Sequence, residues 1–127
     1  MTHLDASFLV HALRRGTGAD RLLRTWLGQN ESIGISAMAW TEFCCGPLEP
    51  REVEIARRLI LEPEPVRAED AERAAVLFND TGRRRGSLAD CLIAAVALRV
   101  KAVLATDDVR DFRRFERFGL HVVGESG

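Results

Sequence analysis

Apolar side chains recur along this chain at helical spacing in long segments and as short unbroken runs between them, and that alternation sets the expected fold. Residues 2–5 read as a very short strand that runs into a helix over about residues 7–15, where Phe8, Leu9, Ala12 and Leu13 recur at helical spacing. Gly16, Thr17 and Gly18 break the chain, and residues 19–29 form a second amphipathic helix on Leu22, Leu23, Trp26 and Leu27, with Trp26 in the core. Residues 32–35 are the second strand, followed by a helix over about residues 36–45 that stops at Gly46 and Pro47. Met38, Ala39, Trp40, Phe43 and Cys44 make that helix apolar and leave Thr41 and Glu42 as its polar exceptions.

Pro50 suits the first turn of the next helix, which should run to about Leu61 with Val53, Ala56, Leu59 and Ile60 on one face. Pro63 and Pro65 end it, and Pro65-Val66 is a candidate strand. A further helix over about residues 69–81 offers Ala71, Ala74, Ala75 and Phe78 as a small-residue packing face.

From Leu88 to Leu98 the only polar side chain is Asp90, and a helix apolar all round belongs inside the domain. Ser87 is a good N-cap, which puts Asp90 at the third helical position, near the positive end of the macrodipole. Taking a carboxylate out of water costs several kcal/mol, roughly, unless a cation or donors meet it. Either Asp90 bonds back to the Ser87 amide as a shortened capping box, or it holds a divalent metal with acids from elsewhere in the chain.

The run 102–105 has the composition of a buried parallel strand and ends in Thr106-Asp107-Asp108-Val109-Arg110-Asp111-Phe112. Phe112, Phe115 and Phe118 are expected in the core under a short helix ringed by Arg110, Arg113, Arg114 and Arg117. Residues 120–123 close the sheet, and the tail 124–127 is expected to fray. Strands alternating with helices, without a repeat or linker, predict one α/β domain over residues 1–127 with a mainly parallel central sheet flanked by helices.

The totals narrow the partners. A formal net charge of −1 excludes global attraction to nucleic acid, so any such binding must come from local basic patches. One patch is Arg83, Arg84 and Arg85 between Gly82 and Gly86, either a solvated surface or a phosphate contact beside the start of the Asp90 helix. Three cysteines, Cys44, Cys45 and Cys91, make neither a disulfide framework nor a CxxC knuckle and read as small core residues in a reducing compartment. No run is long enough to span a membrane, and the first residues lack the basic flank of a signal peptide, so the expected location is the cytoplasm.

Asp5 and the Asp107-Asp108 pair end two predicted parallel strands, where open α/β sheets bind ligands. Glu42 and Asp90 lie in early turns of helices that start at the same edge, although Glu42 by itself also reads as an ordinary solvent-facing glutamate. Converging carboxylates repel and raise one another's pKa unless a metal is bound. Oxygen donors without His or Cys point to a hard ion, Mg²⁺ or Mn²⁺.

Leu4-Asp5-Ala6-Ser7 before a helix, Thr41-Glu42 within one, Ser87-Leu88-Ala89-Asp90-Cys91-Leu92-Ile93-Ala94, and Ala105-Thr106-Asp107-Asp108-Val109-Arg110-Asp111-Phe112 resemble the ordered acidic motifs of PIN-domain ribonucleases. Length and spacing are most similar to the VapC toxins of bacterial toxin-antitoxin pairs, and the resemblance spans nearly the whole chain. It implies a PIN-like three-layer sandwich with Asp5, Glu42, Asp90 and Asp108 as metal-binding catalytic acids, Asp107 and Asp111 standing as alternatives to Asp108. Ala6-Ser7 replaces the family's frequent Thr-Asn, and Ser7 and Thr106 are then expected to orient carboxylates or bound water. The resemblance further implies Mg²⁺- or Mn²⁺-assisted endoribonuclease activity leaving 5′-phosphate and 3′-hydroxyl ends, with Arg83, Arg84, Arg85, Arg113 and Arg114 along the RNA backbone. A homodimer and a VapB-type antitoxin complete the expectation, with the helices over residues 50–61 and 19–29 as candidate faces.

Three rivals fit less well. A signalling receiver domain needs paired acids after its first strand and a lysine ending a late strand, whereas this chain has Asp5 alone and Lys101 precedes its strand. A haloacid-dehalogenase-like phosphatase needs Asp-x-Asp where Asp5-Ala6-Ser7 stands. A PIN-like module that binds RNA or protein without cutting has no need to keep all four acids.

Overall fold

A computed structural model describes residues 1–60 and 62–124 of the chain. Its elements are β1 (Thr2–Leu4), α1 (Ala6–Ala12), α2 (Gly18–Gly28), β2 (Ile33–Gly34), α3 (Ala37–Cys45), α4 (Pro50–Leu59), α5 (Ala68–Asp80), α6 (Leu88–Val100), β3 (Val103–Ala105), α7 (Val109–Phe112), a 3₁₀ segment (Arg113–Phe118) and β4 (Val122–Val123). The strands form one parallel sheet in the order β2-β1-β3-β4. The result is a parallel sheet flanked by helices, as the alternation of strands and helices predicts, in the three-layer form that the resemblance implies.

Because the chain leaves β1 toward one edge and β3 toward the other, the sheet's topological switch point lies between these two neighbours. Their pairing ends on Leu4 opposite Ala105, so Asp5 and Thr106 are the next residues on adjacent strands. This register places the site.

The core forms around Leu4, Phe8, Leu9, Ile35, Phe43, Leu77, Ile93, Leu104, Phe112 and Phe115, all 0–1% exposed. Phe8 stacks on the half-buried Trp26 with ring centroids 5.6 Å apart. α6 buries Cys91 and Ile93 to Ala97 through the centre, but its first residue, Leu88, stays 56% exposed. An apolar helix is covered only where neighbours reach it, and they do not cover that first turn.

Several expectations shift. Cys44 and Cys45 are exposed, while Cys91 is buried. α3 turns Ala39 and Phe43 inward, and at 100° per residue the two positions after Phe43 rotate away from the core. α5 buries Asp70, Ala74 and Leu77, leaving Ala71 and Ala75 outside, so its packing face is rotated by about one residue from the predicted one. The extra strand contact falls at Glu64 rather than Pro65-Val66: Glu64 donates its amide to the Ile35 carbonyl at 2.8 Å, as proline cannot, and its carbonyl accepts from the Ala37 amide at 2.7 Å. α1 ends at Ala12 and α4 at Leu59, and Leu61 lies outside the described residues. Residues 125–127 of the tail lie outside them too, whereas Gly124 is held against β3. Among the described residues no helix is long and apolar enough to cross a membrane.

Candidate active site

Asp5 is the N-cap of α1 and is 6% exposed. Its Oδ1 accepts from the Ala6 amide at 2.8 Å, and its Oδ2 accepts from the Thr106 hydroxyl at 2.8 Å. Thr106 is fully buried, and its Oγ1 in turn accepts from the Asp108 amide at 3.0 Å. One hydroxyl therefore ties the end of β1 to the loop after β3. Ser7 reaches Asp5 only at 3.5 Å, the outer limit of a hydrogen bond.

Gly124 underlies this arrangement. Its φ of 151° is one that side-chain-bearing residues rarely adopt, and a Cβ there would run into the Thr106 carbonyl oxygen. The sequence signal was a glycine directly after the last strand, in a stretch expected to fray.

Asp90 is at the third position of α6, as predicted, but Ser87 does not cap that helix with its side chain. Its hydroxyl and its amide both donate to the Arg84 carbonyl, at 2.7 and 3.2 Å. The shortened capping box is therefore not formed, and Asp90 is left facing Arg114, whose Nη2 lies 3.6 Å from its Oδ2. Glu42 stands in the second turn of α3, exposed at the rim.

These side chains affect one another electrically. Burial raises the Asp5 carboxyl pKa above the ordinary range, and the charges of Asp90 and Asp108 add to the rise against the hydrogen bonds from Thr106 and Ala6. Glu42 is raised by desolvation and then by Asp5 and Asp90. Asp90 is raised by burial, with Asp111 and Asp108 adding and Arg114 opposing. Asp5 thus feels the charges of Asp90 and Asp108, and Glu42 those of Asp5 and Asp90, at the end of the sheet where the switch point lies. Of the alternatives to Asp108, Asp107 pairs with the His11 imidazole and Asp111 faces Arg84 at 3.7 Å.

Among the described residues, no three His, Cys, Asp or Glu side chains close into a ready-made metal cage. The donor chemistry still fits a hard divalent cation. The carboxylates carry only oxygen, and burial is what chiefly raises their pKa values, so a cation bound there would favour their charged forms.

Basic side chains border the crevice. Arg83, Arg84, Arg85 and Arg113 are exposed. The Arg83 guanidinium lies over Phe78 at 5.3 Å, and Arg117 donates to the Asp80 carbonyl, tying the end of α5 to the 3₁₀ segment. Arg114 differs from Arg113, being folded inward with 15% of its side chain exposed.

A parallel α/β sandwich with Asp5 and the Asp108 amide joined through Thr106 at its switch point has the layout that the PIN resemblance implies. The PIN domain family model matches residues 3–118, and the chain belongs to that family. No curated protein sequence matches it significantly. Among solved structures, the fold is similar to a chain of VapBC2 from Rickettsia felis bound to a promoter DNA fragment, with 19% identity, TM-score 0.76 and 98% of each chain covered. It is similar to FitAcB from Neisseria gonorrhoeae at 22% identity and TM-score 0.71 over 96% of each chain. It also resembles VapC20 of Mycobacterium tuberculosis, a sarcin-ricin loop cleaving toxin, at 17% identity and TM-score 0.62, covering 94% of this chain and 96% of that one.

Proposed function

We propose that this protein is a Mg²⁺- or Mn²⁺-dependent endoribonuclease and the toxin of a VapBC-type toxin-antitoxin pair. What supports the proposal is the tie at the switch point from Asp5 through the Thr106 hydroxyl to the Asp108 amide, with Asp90 and Glu42 close enough to feel the charge of those acids. Asp5, Asp90 and Asp108 would hold the cation, with Thr106 fixing the first and last of these. The chemistry such an ion supplies is activation of water and neutralisation of charge on a phosphodiester. Glu42, at the open rim with a raised pKa, is the group to accept a proton from the attacking water. Attack at phosphorus with departure of the 3′-oxygen leaves a 5′-phosphate and a 3′-hydroxyl. Arg83, Arg84, Arg85 and Arg113 would follow the flanking RNA backbone.

A homodimer and a VapB-type antitoxin go with this assignment, in the cytoplasm. The antitoxin's place would be the groove of about 970 Å³ between α1–α2 and α4, where Leu23, Leu27, Ile55 and Leu59 alternate with Arg24 and Arg51. Solved relatives in this fold include VapBC complexes, which supports that partner class.

The test is RNA cleavage by purified protein with Mg²⁺, Mn²⁺ or excess EDTA, followed by mapping of the new ends. The proposal expects 5′-phosphate ends that require a divalent ion and vanish in Asp90→Asn. Full cleavage in EDTA, or 2′,3′-cyclic phosphate ends, would overturn it.

A further inference from the structure

Asp90 lacks the capping bond that would fix its carboxyl group. Ser87, the residue placed to cap α6, turns its hydroxyl to the Arg84 carbonyl instead, and a short acid on a first turn is otherwise free to change rotamer. What stands beside it is Arg114, and the two meet solvent differently. Asp90 keeps 31% of its side chain exposed and Arg114 15%, with Nε and Nη2 of the arginine closed off from water. The cation therefore lies on the inner side of the carboxylate, and the outer side is open.

Arg114 is itself held from three directions. Its guanidinium carbon lies 4.4 Å from the centroid of the fully buried Phe115 ring, which supports one face of the fork. Nη1 donates to the Asp111 carbonyl oxygen, and the Asp111 amide in turn donates to the Asp108 carbonyl at 3.0 Å. Nε and Nη2 are shut in between Asp90 and the buried Cys91 thiol, a weak acceptor. A rigid plane gripped in this way sets the position of its neighbour. Through it the first turn of α6 is indexed to α7, whose N-cap is Asp108.

The distance shows what kind of pairing this is. Arg99 closes on Asp70 through Nε at 2.9 and 3.2 Å and occupies both of its oxygens, as a counter-ion does in a finished structural pair. Nη2 of Arg114 stops 3.6 Å from Oδ2 of Asp90, near enough to orient the carboxylate by charge and too far to use up its lone pairs. From this geometry we infer that Arg114 is a positioning residue, which holds Asp90 in the one orientation that presents its open side to a divalent cation in step with Asp108. The inference rests on the divalent-metal part of the reading above.

It carries a sign that charge alone does not give. A fixed positive charge repels a divalent cation, so if Arg114 acted only by its charge, removing it would tighten metal binding. Loss of orientation weakens binding instead, and outer groups that orient metal ligands are worth roughly ten- to a hundredfold in affinity.

The test uses the whole protein, wild type against Arg114→Gln and Arg114→Lys, with Arg58→Gln on α4 as the surface control. Two quantities are read without RNA: the side-chain couplings of Asp90 by NMR in metal-free protein, which report its χ1 rotamer, and Mn²⁺ affinity by electron paramagnetic resonance. Wild type should show one Asp90 rotamer before any metal is added. Arg114→Gln should show averaged rotamers and bind Mn²⁺ about tenfold more weakly. Arg114→Lys keeps the charge but loses the fork and its tie to Asp111, and should fall between them on both. Arg58→Gln should match wild type.

Averaged Asp90 rotamers in the wild-type protein overturn the inference even where the glutamine variant folds poorly. So does Mn²⁺ binding by Arg114→Gln as tight as wild type or tighter, and the nuclease reading then stands if wild type still cleaves RNA with Mn²⁺. If wild type binds no Mn²⁺, both fail. If Arg114→Gln frees Asp90 and weakens Mn²⁺ binding but wild type cleaves no RNA, the positioning role stands and the nuclease reading fails.

Discussion

Two aspartates of this protein are buried, Asp5 at one end of the α6 axis and Asp70 at the other, and the fold treats them in opposite ways. Asp70, 1% exposed, takes a two-pronged contact from Arg99, whose Nε lies 2.9 Å from Oδ1 and 3.2 Å from Oδ2. It also accepts from the Arg67 amide at 2.9 Å, and Arg99 goes on to donate to Glu64 and the Pro65 carbonyl at 3.2 and 3.0 Å. Every charge there has a partner within the chain, and the result ties the start of α5 to the end of α6. Asp5 has two good donors but shares its crevice with Asp90 and Asp108, and burial outweighs the hydrogen bonds. The difference separates a charge that builds the fold from one that the fold holds ready for something from outside.

The contrast is broken most strongly at the crevice. Asp5→Asn should lower RNA cleavage about a thousandfold, roughly 4 kcal/mol of transition-state stabilisation, in a steady-state assay. In EDTA the same variant should melt above wild type. A raised carboxyl pKa means stability present below the unfolded value and lost as pH rises through the folded one, so removing the charge restores what neutral pH removes. At the other end Arg99→Ala should behave in reverse, losing about 3 kcal/mol in denaturant melts by leaving Asp70 without its cation, while cleavage per folded molecule is kept.

His3 sharpens the comparison with pH. It is 3% exposed, and burial lowers its pKa from 6.5 to about 4, against the pull of Glu64 and together with Arg99. Between those two values the unfolded chain binds more protons than the native one, so stability falls as pH falls, by somewhat under about 3 kcal/mol over the window. The crevice acids change in the other direction. The difference between wild type and His3→Gln, followed by urea melts from neutral to acid pH, isolates the histidine; equal slopes would remove it from the account.

Smaller effects test the supports. Gly124→Ala should cost about 2 kcal/mol through backbone strain and displace Thr106, lowering cleavage along with stability. A variant that melts lower yet cleaves normally would show that Thr106 need not be held. Ser7→Ala should change cleavage least, by about 0.5 kcal/mol, because its contact with Asp5 is at 3.5 Å.

Much of this was legible in the chain. A polar residue alone in the apolar run of α6, and an acid directly after a short strand, marked Asp90 and Asp5, because strand ends and first turns fix direction locally, whereas the choice of Asp108 over Asp107 and Asp111 came from the resemblance. Thr106 followed from its place in the motif. What stayed hidden depended on rotation and on distant neighbours: the exposure of Cys44 and Cys45, the one-residue turn of the α5 face, and the inward fold of Arg114 beside the outward Arg113. The Asp70–Arg99 pair, 29 residues apart in sequence, carries no local signal. Gly124 shows its role only once β4 lies against β3.

The most direct measurement is Mn²⁺ titration of the isotopically labelled protein, following paramagnetic broadening of backbone amides. The account predicts that Asp5, Ala6, Asp90 and Asp108 broaden first and together, that Arg58 on α4 and Asp70 on α5 stay sharp at the same concentrations, and that Asp5→Asn abolishes the effect. Broadening centred elsewhere, or none before the whole spectrum weakens evenly, would contradict it.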